Sequence, residues 1–197
     1  MRHGRLADKR ESHAQAIGVA SRDERVGGAM LIPELHSQRL LLRAPAGADF
    51  PVYRNFYADA EASRFYGGPL SPDLAWRKLA YDLGHWALRG FGMWSVVERA
   101  TGNMIGSCGI VWAEGWPRHE LTWWITPACR RQGYAFEASR EALAWACDSL
   151  GWSEIETHMN DENAPARALA QKLGGVVTGR MRFPDGLVRS IYSMRCP

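Results

Sequence analysis

Residues 127–139 read PACRRQGYAFEAS: two arginines and a glutamine, then a glycine, a bulky residue, a small one, and a helix-like run. Gly133 and Ala135 let the main chain curl so that successive N–H groups point into one concavity. The unpaired N–H groups and positive dipole end of a following helix add to it. Such a junction suits an anion, and a phosphate there gains about 1–2 kcal/mol from the dipole alone. The same residues also serve an ordinary turn into a helix, and the spacing leaves both open. Upstream, HELTWWIT carries Glu120, a carboxylate that can take a proton directly or through a water;. It reads equally as a strand carboxylate satisfied by a neighbouring arginine. His119 alternates to the opposite face, so the two cannot share a pocket. Asn163, ahead of a short helix, is either an N-cap or a ligand contact. His85 and His158 read as helix-face and strand-face residues without a role.

Alternating elements must position these groups. RLLLRA reads as a strand ended by Pro45, and residues 49–57 show helical spacing. Ser71-Pro72 marks a helix start and Gly90 its stop;. FGMWSVVE and MIGSCGIVW flank the turn RATGN as a hairpin, and HELTWWIT is a third strand;. A helix over 134–149 follows, then the strand SEIETHM, a helix over about 164–173, and a hairpin turning at PDG. The order β-α-α-β-β-β-α-β-α-β-β predicts an α/β (α+β) fold. It has a mixed, mostly antiparallel sheet of about seven strands and about four helices.

Composition narrows the classes. The 197 residues suffice for one domain, 46% hydrophobic content excludes wholesale disorder, and a net charge of +3 with scattered arginines gives little support to nucleic-acid binding;. No apolar run approaches the length of a membrane span. Residues 1–29 mix six basic with four acidic residues without periodicity and read as a disordered extension, leaving 30–197 as the domain;. Cys108, Cys129, Cys147 and Cys196 show no C-x-x-C pair, which argues against a zinc site and suits a reducing cytosol;.

The spacing Arg130-x-x-Gly133-x-Ala135 resembles the pyrophosphate-binding pattern Q/R-x-x-G-x-G/A of the GNAT N-acetyltransferase superfamily. The chain is similar to the branch that acetylates ribosomal-protein N-termini. LHSQRLLLRAPAGADFPVYRNFYAD, GGPLSPDLAWRKL, FGMWSVVERATGNMIGSCGIV, HELTWWITPACRRQGYAFEA and NDENAPARALAQKLGG follow its elements in order. The resemblance implies acetyl-CoA as donor, coenzyme A as product and no metal. The backbone from Arg131 through Gln132, Gly133 and Tyr134 to Ala135 would hold the pyrophosphate, with charge from Arg130 and Arg131. The strand ending at Thr126 would pair with the pantetheine arm. An N–H of Trp124 or Ile125 would bind the thioester carbonyl, and Asn163 would face the pantetheine. Glu120 aligns with a branch position suited to the base. The acceptor would be a protein N-terminus or a small amine, in a cytoplasmic protein that can form a homodimer.

The chain departs from that pattern where many members carry a tyrosine that protonates the leaving thiolate. Here the position is Ala170. The departure motivates a second reading, an acyl-CoA-binding sensor or interaction module without chemistry. Trp112, Trp116 and Arg118 either line an acceptor pocket or close the core.

Overall fold

The computed structural model describes residues 31–196, so the extension expected over 1–29 lies outside the described residues. In chain order the elements are β1 (Leu35–His36), β2 (Leu40–Arg43), α1 (Phe50–Ala58), α2 (Ala60–Ser63), α3 (Pro72–Arg89), β3 (Met93–Glu98), β4 (Met104–Val111), β5 (Glu120–Ile125), α4 (Tyr134–Leu150), β6 (Glu154–Met159), α5 (Ala164–Lys172), β7 (Val176–Arg182) and β8 (Val188–Arg195). The α/β fold is the expected one, with one more strand and one more helix. The additions, β1 and α2, are two and four residues long, below the reach of a periodicity signal.

A single central sheet is not what forms. The strands make two antiparallel sheets, β1-β2-β3-β4-β5 and β6-β8-β7, with no ladder joining β5 to β6. Glycines let β4 lie close to its neighbour: a Cβ on Gly109 would come within 2.1 Å of the Gly92 carbonyl oxygen. Period-two alternation sends the paired tryptophans of β5 to opposite faces. Trp123 joins a core with Ala138, Ala142 and Ala146, the small i, i+4 stripe that lets α4 pack close. Trp124 joins Tyr53, Phe56 and Tyr57 of α1 and Leu79 of α3. The buried indoles of Trp86 and Trp94 donate to the Met93 and Pro33 carbonyls, so their burial strands no polar group;.

Two expectations need correction. Ser71 does stand at the N-cap of α3, but its hydroxyl donates to Asp73 and makes no capping bond to the backbone. Cys147 and Cys196 form a disulfide with Cα atoms 5.8 Å apart, leaving Cys108 and Cys129 as free thiols. A gap of 49 residues hid the pair, because β8 returns the chain end beside α4 only in the folded form. The cysteines therefore no longer argue for a reducing compartment. Among the described residues no helix is long and apolar enough to cross a membrane.

Candidate active site

The curl after β5 has the geometry the sequence suggested. Arg131 takes φ +63° and Gly133 φ +86°, and Arg131 is the only non-glycine residue with positive φ among those described. Left-handed φ at a non-glycine residue is costly and marks a constrained segment. Among the described residues, no backbone or side-chain acceptor pairs with the N–H groups of residues 131 to 136; the first bond of the helix runs from Glu137 N–H to the Gly133 carbonyl. Six consecutive donors are thus bared at the N-terminus of α4.

The loop is held from outside. Glu137 accepts from Ser37 Oγ at 2.7 Å and Arg39 N–H at 2.8 Å, and it pairs with the Arg39 guanidinium at 2.6 Å. Arg39 also donates to the Gln132 carbonyl at 3.0 Å and lies 4.5 Å from the Tyr134 ring centroid. The Tyr134 hydroxyl donates to Glu98, so only its backbone N–H serves the curl. Arg130 departs from expectation. Its guanidinium donates to the Ile125 and Ala62 carbonyls, both at 3.0 Å, and so fixes the loop to the end of β5 and to α2. Its charge is committed to that bracing, whereas Arg131 makes no ion pair among the described residues.

The gap between β5 and β6 opens into a cleft of about 610 Å³ lined by Glu120, Thr122, Trp123, His158, Asn160 and Asn163, among others. Thr126 N–H donates to the Ile105 carbonyl of β4 at 2.9 Å. Alternation along β5 then turns the Trp124 N–H toward β4 and leaves those of Trp123 and Ile125 on the edge facing β6. Of the two backbone donors expected from the sequence, Ile125 faces the gap; Trp124 instead contributes its indole to the core. Asn163 accepts from Ala166 N–H at 3.2 Å as the N-cap of α5, and it lines the cleft as well.

Side chains close the other end of the gap. Arg118 pairs with Glu156, and Glu120 Oε2 lies 3.4 Å from His158 Nε2. Burial pushes the Glu120 carboxyl up to about 8, with Arg189 pulling against it. Burial lowers His158 to about 3, reinforced by Arg189. No arginine salt-bridges Glu120 among the described residues; its partner is a histidine that the sequence marked as idle. The available signal was the alternation of SEIETHM, which sends Glu156 and His158 to one face. Asp82 lines the cleft too, raised to about 7 by burial, and accepts from the Tyr53 hydroxyl at 2.7 Å. Trp116 and Arg118 line the cleft as one of their two readings had it. Trp112 instead donates its indole N–H to the Trp116 carbonyl and its backbone N–H to His85. That bond and the contact of His85 with the Phe91 carbonyl make His85 structural.

A family model, the Acetyltransferase (GNAT) domain, matches residues 39–176. The chain belongs to the GNAT acetyltransferase family. That membership implies acetyl transfer from acetyl-CoA. Among solved structures, an acetyltransferase from Agrobacterium tumefaciens str. C58 is 30% identical with a TM-score of 0.78, over 87% of this chain and 99% of its own. An N-acetyltransferase of Bacillus subtilis, YoaA, is 24% identical over 155 residues, covering 77% of this chain and 88% of its own. The RimL ribosomal L7/L12 alpha-N-protein acetyltransferase in complex with coenzyme A shares the fold at 14% identity and a TM-score of 0.68, over 83% of this chain and 98% of its own.

Proposed function

We propose that this GNAT protein is an N-acetyltransferase that moves an acetyl group from acetyl-CoA to a primary amine. The supporting observation is the pairing of six bared N–H groups at the N-terminus of α4 with an unladdered gap beside β5. A pyrophosphate fits the first, since it accepts several backbone bonds and meets the positive end of the helix. An extended pantetheine arm fits the second, since it offers amides to a strand edge.

When bound, acetyl-CoA supplies the acyl group as a thioester. The backbone of Arg131 to Ala135 binds the diphosphate, and Arg131 adds an uncommitted charge. The N–H groups of Trp123 and Ile125 donate to the pantetheine arm and the thioester carbonyl, where they stabilise developing negative charge. Asn163 faces the same arm. Glu120 removes the proton from the attacking amine. A raised carboxyl pKa suits that role, because it narrows the gap to the amine. An α-amine costs about 1.4 kcal/mol to deprotonate at pH 7 and a lysine amine about 4.6 kcal/mol. The acceptor class is therefore an α-amine, of a protein N-terminus or of a small molecule.

Calorimetry with acetyl-CoA and with free coenzyme A tests the first half, and mass spectrometry of products from an amine and N-terminal peptide panel tests the second. Heat without any acetylated product supports a module without chemistry. No heat from folded protein removes the reading.

Gly133→Val places a β-branched residue at φ +86°, where its Cβ also meets Arg39 at 3.4 Å. Relaxing that strain forfeits one charge-assisted bond of about 1.5–3 kcal/mol. Coenzyme affinity should fall about 10- to 200-fold in titration calorimetry. An unchanged dissociation constant would place the diphosphate elsewhere.

A further inference from the structure

His158 is 4% exposed, and neither of its ring nitrogens has a hydrogen-bond partner. An orphaned buried polar group is costly and calls for an explanation. The imidazole packs against an aromatic pair, 4.1 Å from the Phe183 centroid and stacked on Trp116 at 5.8 Å and 16°, with Trp116 and Phe183 themselves 5.4 Å apart. Its Nε2 lies 3.4 Å from Glu120 Oε2, close enough to interact but without the alignment of a hydrogen bond;.

The other charged groups facing this pair are matched. Arg118, ahead of β5, is committed to Glu156 of β6. Arg189 of β8 donates to Asp185 of the β7–β8 turn at 2.8 Å and covers the Trp116 and Phe183 rings at 5.6 and 5.1 Å. His119 lies on the opposite face, 4.4 Å from Trp152. Glu120 and His158 remain, an acid and a base with only each other.

Their place in the cleft matters as well. Arg118–Glu156 and Glu120–His158 share one offset of 38 positions, so β5 and β6 run side by side and are bridged at this end. The same offset carries Ile125 level with Asn163, at the end toward the bared N–H groups. The pair therefore closes the end of the gap remote from the curl, beyond Trp123.

We propose that His158 is a catalytic residue, forming with Glu120 a single proton carrier at the closed end of the cleft. The inference rests on the acetyltransferase reading. In the resting pair Glu120 holds the proton; as the amine nitrogen bonds the acetyl carbon, Glu120 passes it to His158 Nε2 and takes one N–H proton from the amine. His158 Nε2 then gives the proton it received to the sulfur as the carbon–sulfur bond breaks. One proton leaves nitrogen and one arrives on sulfur, so Glu120 ends protonated and His158 neutral, as they began. This supplies the acid that the chain lacks at Ala170, a fully buried alanine. Burial supports the pairing: each group alone rejects charge, and one proton shared between them leaves both uncharged.

Two measurements test the proposal. In full-length protein carrying 15N-labelled histidine, the His158 ring nitrogens should shift in a step near pH 8 as Glu120 loses its proton. That step should vanish in Glu120→Gln. A His158 signal that is flat from pH 5 to 9 and identical in E120Q overturns the carrier, and this readout needs no substrate. In turnover, His158→Gln should lower kcat about a hundredfold, leave the KM for acetyl-CoA unchanged and move the pH profile. A kcat within about threefold of wild type, with the profile in place, overturns the proposal. Loss of acetyl-CoA binding by the wild type would instead remove the acetyltransferase reading, and the resonance experiment would still decide whether the pair shares a proton.

Discussion

Glu120→Gln should lower kcat/KM for acetyl transfer by about 10²–10⁴-fold, the usual range for a lost general base, with acetyl-CoA affinity retained. The same substitution has a consequence for stability with a defined sign. Burial raises the Glu120 carboxyl from 4.5 to about 8. Between those values the folded protein keeps a proton that the unfolded chain has released. Its contribution to stability therefore falls as pH rises through that window. Glutamine cannot titrate, so E120Q should match wild type below about pH 4.5 and gain on it steadily up to about pH 8. Melting temperatures of both proteins across pH 4.5 to 9 check this. A constant difference would mean that the carboxyl is not held in its buried, proton-keeping state. The side chain remains 22% exposed through the cleft, and water there screens part of the effect;.

Trp124→Ala should be the most damaging change to the fold. The indole is 3% exposed, stacks on Phe56 at 4.3 Å and meets Tyr53 edge-on at 5.0 Å. It is the contact through which β5 holds α1. Removing a buried tryptophan costs about 3–5 kcal/mol, a large share of the 5–15 kcal/mol that typically holds a domain. The melting temperature should drop by roughly 6–20 °C, taking about 2–4 °C per kcal/mol at this size. Trp124→Phe should recover most of that loss. Circular dichroism melts measure both, and a drop under about 2 °C would show that α1 does not depend on this stack.

Local patterns made most of the fold legible. The Thr-Gly-Asn turn between apolar runs marks the hairpin of β3 and β4, and Gly90 and Gly151 stop their helices with φ of +78° and +65°. Gly133 could be read because its role depends on its own backbone and the helix beside it. The division into two sheets was not legible. Nothing in ELTWWI or EIETHM states that these neighbours will lack a ladder, since pairing is decided between strands far apart in the chain. His158 was missed for a related reason: a buried histidine looks idle until a carboxylate 38 positions away is brought against it. The charge of Arg130 is visible in sequence, whereas the two carbonyls that its guanidinium meets are not.

The parting of β5 from β6 also bears on how the protein behaves in solution. A strand edge with unpaired amides invites other chains to add to it, and natural sheets protect such edges. Here the inner edges of β5 and β6 face one another across a narrow slot, where no second protein's strand can dock side-on. The outward edges are poor templates: β1 has two residues, and β7 is broken by a bulge between Val177 and Gly179 and carries Arg180 and Arg182;. Sticky backbone is thus confined to a slit sized for a slender arm, and the rim that fibrils would need is short, kinked or charged.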